Sequence, residues 1–170
     1  MRRSLEILLI SLPALAALII LTVAISAPVV QAILGYAYGE LGYRLLFSIC
    51  HQYPLRSFWI LDHPMGVCAR CTGGYSGVVL GIIMILSKYN YNRHQPGFLL
   101  VLGSILFALR VGDAILKTWT GIDGTNAWRL STGLVGGMGF AVLTGSFVFA
   151  TAEAVGRHNL QFGRQQCGIC

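Results

Sequence analysis

The sequence predicts an all-helical integral membrane bundle of four transmembrane helices plus one interfacial helix, and three observations carry that reading. Hydrophobic residues make up 55% of the 170 positions, only 11% are charged, and the mean hydropathy is +0.70. That is more apolar surface than one small soluble core can hide. Four apolar runs are long enough to cross a hydrocarbon layer of about 30 Å. Polar or turn-rich stretches separate them. The length suits one membrane domain, 1–170, in which the bundle is the whole fold.

The first span, about 7–27, follows Arg2 and Arg3. It is too long for the apolar core of a signal peptide, so it is expected to stay as an anchor despite the small residues Ala24-Ile25-Ser26. The segment 29–49 follows Pro28 directly, carries Glu40 and Arg44 at i,i+4, and holds Tyr36, Tyr38 and Tyr43. Those features suit a helix at headgroup level, since a hairpin straight back through the bilayer leaves almost no room for a turn. The competing arrangement, in which 29–49 spans, gives five crossings. The remaining spans are 66–86, 97–116 and 130–152, joined by the hairpin-sized segments 88–96 and 119–126, and 157–170 reads as a flexible tail.

Arg2 and Arg3 lead the first helix and no basic residue follows until Arg44, which predicts a cytoplasmic N-terminus in a multi-pass plasma-membrane protein. Lys88, Arg93, Arg157 and Arg164 then fall inside, and Arg44, Arg56, Lys117 and Arg129 outside. The net charge of +6 comes from dispersed residues, which excludes a nucleic-acid patch. Gly73, Gly77 and Gly81 recur every four residues on the second span, as do Gly133, Gly137, Ala141 and Gly145 on the fourth. Two such smooth ridges predict close packing of these helices.

Chemistry concentrates in Cys50-His51 and Cys68-Ala-Arg-Cys71. Cysteines three apart share one helix face, and thiolate with imidazole is the donor set of tetrahedral zinc. Cys50, His51, Cys68 and Cys71 are therefore the expected metal ligands, with His63 as a substitute for His51. A second reading is a thiol–disulfide oxidoreductase, because a C-x-x-C at the amino end of a helix beside Arg70 favours a reactive thiolate. That arrangement is loosely similar to the quinone-linked membrane oxidoreductases that make disulfides. The third reading leaves the thiols inert in the bundle, and a scaffold or assembly subunit with a structural metal remains a non-catalytic alternative.

Charges inside the spans point to the same end of the bundle. Arg70 lies in the C-x-x-C turn, Arg110, Asp113 and Lys117 lie near the end of the third span, and Asn126, Arg129 and Thr132 open the fourth. Intramembrane ions pair or face a wet cavity, so an Arg110–Asp113 pair is expected, and the surrounding guanidinium groups suit an anionic ligand such as a lipid phosphate. Cys167 and Cys170 form a second C-x-x-C across the membrane, available as a free dithiol or to a partner membrane protein or second copy.

The blocks Cys50-His-Gln-Tyr-Pro-Leu-Arg-Ser-Phe58, Cys68-Ala-Arg-Cys-Thr-Gly73 and Asn126-Ala-Trp-Arg-Leu-Ser-Thr-Gly133 resemble the signature of the membrane family called domain of unknown function 2085. The resemblance covers roughly residues 45–140. It implies a small multi-helix membrane protein and singles out Cys50, His51, Gln52, Pro54, Arg56, Cys68, Arg70, Cys71, Asp113, Asn126 and Arg129 as candidate site residues. It supplies no activity and leaves the substrate open.

Overall fold

The computed structural model describes the backbone of residues 2–90, 94–121 and 124–167, and the side chains of residues 3–90, 94–121 and 124–155. Helix α1, Arg2–Leu34, is followed by α2, Tyr36–Phe47, and by a short 3-10 turn, Pro54–Arg56. Strands β1, Ser57–Ile60, and β2, His63–Cys68, form an antiparallel hairpin. Then come α3, Ala69–Ser87, α4, Pro96–Thr120, and α5, Asn126–Cys167. The helices α1, α3, α4 and α5 are each long and apolar enough to cross a membrane, which agrees with the expected four spans plus one further helix.

Several boundaries differ from expectation. Pro28 does not end the first helix, which continues to Leu34. A proline removes one helical hydrogen bond, but this one is fully buried, and α2 packs against the turns around it. The chain reverses instead at Gly35, whose φ of 93° is open to glycine at little cost. The expected interfacial helix 29–49 is therefore shorter, at Tyr36–Phe47. It runs back along α1: a side chain at Gly39 would strike Gln31, one at Gly42 would strike Ala27, and Leu46 lies near Ala24 beside Gly66.

At roughly 1.5 Å per residue, α1 is about 50 Å long, well beyond the ~30 Å of the hydrocarbon core. Gly66, just before α3, lies against Ala24, so α3 begins at that level. The turns of α1 beyond Ala24 are accompanied by α2 and the hairpin instead, and these pieces form a cap on one end of the bundle.

The hairpin is absent from the sequence reading, which began a span at Gly66. Its two-residue turn, Leu61-Asp62, has positive φ at both positions (50° and 60°), the conformation that matches strand twist in a tight hairpin. Leucine seldom adopts it, so the turn carries no Asn-Gly or Asp-Gly signal. Helix α4 follows expectation more closely: Pro96 occupies its first turn, and Gly121 ends it at φ 67°. Helix α5 is capped by the Thr125 hydroxyl, which accepts from the Trp128 amide at 3.3 Å. Its continuation to Cys167 replaces most of the expected flexible tail 157–170 with helix. Cys170 and Arg93 lie outside the described residues.

Helices α3 and α5 run parallel, ridge on ridge. A Cβ added at Gly73 or Gly77 would collide with backbone of Leu130 or Leu134, and one at Gly137 with the Gly74 carbonyl. Gly81 faces Met138 and Ala141, and Gly145 faces Ile85. The two predicted glycine registers thus meet each other. Helix α4 packs on the other side of α5, with Gly103 against Gly139 and Leu143 and Gly139 against Phe107. Helix α1 runs antiparallel to α3. At the terminal end, Tyr89 donates to the buried Glu6 carboxylate at 2.6 Å and packs edge-on against Phe149.

Candidate metal centre

The end of α2 delivers the first thiol. The amides of Ile49 and Cys50 both donate to the Leu46 carbonyl, at 3.1 and 3.0 Å, and this turns Cys50 inward. Its sulfur then accepts the Cys68 backbone N–H at 3.2 Å. Cys68 is the last residue of β2 and the N-cap of α3 with extended backbone (φ −71°, ψ 159°). Cys71 stands in the first turn of α3. A C-x-x-C across a strand-to-helix junction thus aims both sulfurs at one point. All three Sγ atoms lie within 4.8 Å of one another.

Cys50 and Cys68 are buried, and Cys71 is half-buried. They share a small core with Ala24, Leu46, Met65 and Val67. Hydrogen bonds from Cys50 and then Cys71 hold the Cys68 thiol far below its ordinary range, against the opposing effect of burial. The cap is tied down nearby: Tyr43 donates to the Pro64 carbonyl at 2.6 Å, and Gln52 Nε2 donates to the Tyr43 carbonyl at 2.7 Å. Burial raises the Tyr43 hydroxyl above its usual pKa, so it remains a donor at neutral pH.

His51 is not brought into the cluster. Its ring lies exposed beside Tyr53, centroids 4.8 Å apart, and its Nδ1 accepts the Tyr53 amide at 3.4 Å. Adjacent residues leaving a helix end point apart, so the inward turn of Cys50 sends its neighbour outward. His63 begins β2, and it too stands outside the three-sulfur group. Arg56 lies 5.5 Å over the Tyr53 ring. Cys167 ends α5. That terminus lies beyond the end of the bundle marked by Glu6 and Tyr89, opposite the cap.

The charged residues are arranged differently from the expected Arg110–Asp113 pair. Asp113 takes Arg70 instead, with Nη2 to Oδ2 at 2.7 Å and both side chains largely buried. The Arg110 stem lies over Gly136 of α5, whereas Arg70 reaches Asp113 from α3. Trp128 Nε1 donates to Asp113 Oδ1 at 2.8 Å, and the Thr132 hydroxyl donates to Oδ2 at 3.3 Å. Trp128 was missed as a site residue; its i,i+4 spacing from Thr132 was the available signal. Arg129 donates to Asn126 Oδ1 at 2.6 Å, and Asn126 donates to the Ser57 carbonyl at 3.3 Å, joining α5 to the hairpin.

Residues 50–143, more than half of the chain, match the model of a predicted membrane protein family, DUF2085. The chain belongs to the DUF2085 family. The match opens on Cys50 and takes in Cys68, Cys71 and Asp113, while all of α1 and α2 and the C-terminal half of α5 lie outside it. Similar proteins include an uncharacterized protein of Methanocaldococcus jannaschii, 55% identical over 42 residues, which are 25% of this chain and 27% of that protein. Another is an uncharacterized protein of Methanothermobacter thermautotrophicus, 35% identical over 99 residues, 56% of this chain and 84% of that protein. The chain therefore spans about a quarter of the first relative and most of the second. No solved structure matches this DUF2085 chain.

Proposed function

We propose that this protein is a membrane zinc protein whose ion is held by Cys50, Cys68 and Cys71 at the cap end of the bundle. The single observation that carries the reading is the convergence of three sulfurs within 4.8 Å, one from the end of α2 and two from the C-x-x-C at the start of α3. Zinc–thiolate bonds of about 2.3 Å in a tetrahedral shell place sulfurs roughly 3.8 Å apart, so the existing spacing needs only a small contraction. An all-sulfur donor set favours zinc over hard cations. With His51 turned away, the fourth position is left to water or an exogenous ligand, as in sites that do chemistry rather than only staple a fold. The arginines on the adjoining helices give this end of the protein its affinity for an anionic ligand. A cytoplasmic N-terminus in the plasma membrane would put the cap outside.

The competing reading is a Cys68–Cys71 disulfide couple, favoured by the one-turn separation of these thiols at the start of α3. Metal analysis together with thiol labelling separates the two. Purified protein should carry about one zinc, and Cys68→Ser should lose it. Protein free of transition metal from zinc-replete cells, with thiols that label only after reduction, would overturn the metal in favour of the couple.

A further inference from the structure

A crevice of 670 Å³ opens between α4 and α5 below the cap. Its walls are mostly apolar and include Ile105, Leu109 and Val135, with Leu109 60% exposed on a helix long and apolar enough to cross a membrane. Arg110, Asp113 and Trp128 line it as well. The two charges that line it are not paired with each other. Asp113 is engaged by Arg70, Trp128 and Thr132. Arg110 has no carboxylate within 4.0 Å among the described residues, so its guanidinium lacks an ion-pair partner of its own there.

A guanidinium in an apolar, lipid-facing crevice is costly without a counter-anion. The bilayer contains molecules that supply an anion and an apolar chain together. We propose that the crevice binds a phosphate-monoester membrane lipid, with its phosphate on Arg110 and one chain along Ile105, Leu109 and Val135. Arg110 lies ten residues before the end of α4, about 15 Å along the axis. The headgroup must therefore descend from the bilayer surface to reach it. A small phosphate can do so, whereas a choline or ethanolamine cation would be carried into the same low-dielectric space beside Arg110 and Arg70. The inference rests on the reading that gives these arginines an anionic ligand, and it does not depend on the metal.

Trp128 provides the readout. In full-length protein carrying Trp59→Phe and Trp119→Phe, reconstituted in phosphatidylcholine nanodiscs, added phosphatidic acid with brominated chains should quench Trp128 fluorescence saturably. Arg110→Ala should weaken the apparent affinity about tenfold or more, and Arg110→Lys by less, because a lysine keeps the charge without the bidentate fork. Val135→Phe fills the crevice without touching a charge and should also weaken it, so it decides the matter if Arg110→Ala fails to fold by circular dichroism. Equal saturable quenching by brominated diacylglycerol or phosphatidylcholine, or unchanged affinity in Arg110→Ala, would overturn the proposal. Complete relief by inorganic phosphate would place the affinity in a soluble anion and overturn the lipid assignment. Zinc measured on the same preparations separates this outcome from the metal reading, since Arg110→Ala should keep its ion.

Discussion

Arg70, between the two cysteines of the C-x-x-C, holds Asp113 at 2.7 Å across 43 residues of sequence. The contact fastens the first turn of α3 to the last third of α4 and so couples the cysteine cluster to the lining of the α4–α5 crevice. Only 15% and 12% of the two side chains are exposed, so each charge depends on the other for its compensation.

That dependence predicts strong coupling. Arg70→Ala or Asp113→Ala alone should destabilise the protein by about 2–3 kcal/mol, and the double variant by less than the sum. Arg110→Ala with Asp113→Ala should come closer to additivity. Thermal unfolding of the five variants in detergent measures both cycles, and additive losses for Arg70 with Asp113 would rule the pair out.

The glycine ridges give a contrast between neighbouring positions. A Cβ at Gly137 would collide with the Gly74 carbonyl, which is backbone and cannot move aside, whereas one at Gly74 would meet only the Gly133 carbonyl at 3.9 Å. Gly137→Ala should therefore cost about 1–3 kcal/mol while Gly74→Ala stays nearly neutral. Melting temperatures of the two variants test this; equal shifts would mean that α3 and α5 do not pack through these faces.

His51 and Cys50 are adjacent in sequence and should behave oppositely. Cys50→Ala should lose most of the bound zinc, and His51→Ala should retain it, because only Cys50 faces the other sulfurs. Zinc content per chain by elemental analysis decides, and loss of the ion on His51→Ala would show that the imidazole swings in as a ligand.

Masked thiols should be released by a chelator and not by mild reductant. Alkylation with a membrane-impermeant maleimide in intact cells should then reach Cys50, Cys68 and Cys71 after chelation, and leave Cys167 unlabelled. Labelling of Cys167 without permeabilisation would reverse the proposed orientation while leaving the fold intact.

At the terminal end, Tyr89→Phe removes the hydroxyl that donates to Glu6 at 2.6 Å. A hydrogen bond to a buried acid contributes about 1.5–3 kcal/mol, so the variant should melt at lower temperature at neutral pH. An unchanged melting temperature would show that the bond adds nothing to stability.

The sequence by itself determined what depends on composition and local periodicity. Apolar runs must cross a bilayer because water rejects them, the four-residue glycine repeats mark faces where backbones can meet, and a three-residue cysteine spacing brings two sulfurs together whether or not the rest of the fold is known. These are short-range constraints, and α3, α4 and the Gly73–Gly81 and Gly133–Gly145 ridges follow from them. Tertiary structure alone decided which distant groups became neighbours. Pro28 reads locally as a helix end, yet packing by α2 carries α1 on to Leu34. Leu61-Asp62 has no turn signature, yet the hairpin closes there and sets Cys68 against Cys50. Asp113 had a nearer arginine in sequence, but Arg70 reaches it directly from α3. Glu6 and Tyr89, 83 residues apart, join only because α1 and α3 run antiparallel. In each case the deciding energy lies in contacts between segments, and no local pattern in the chain records those.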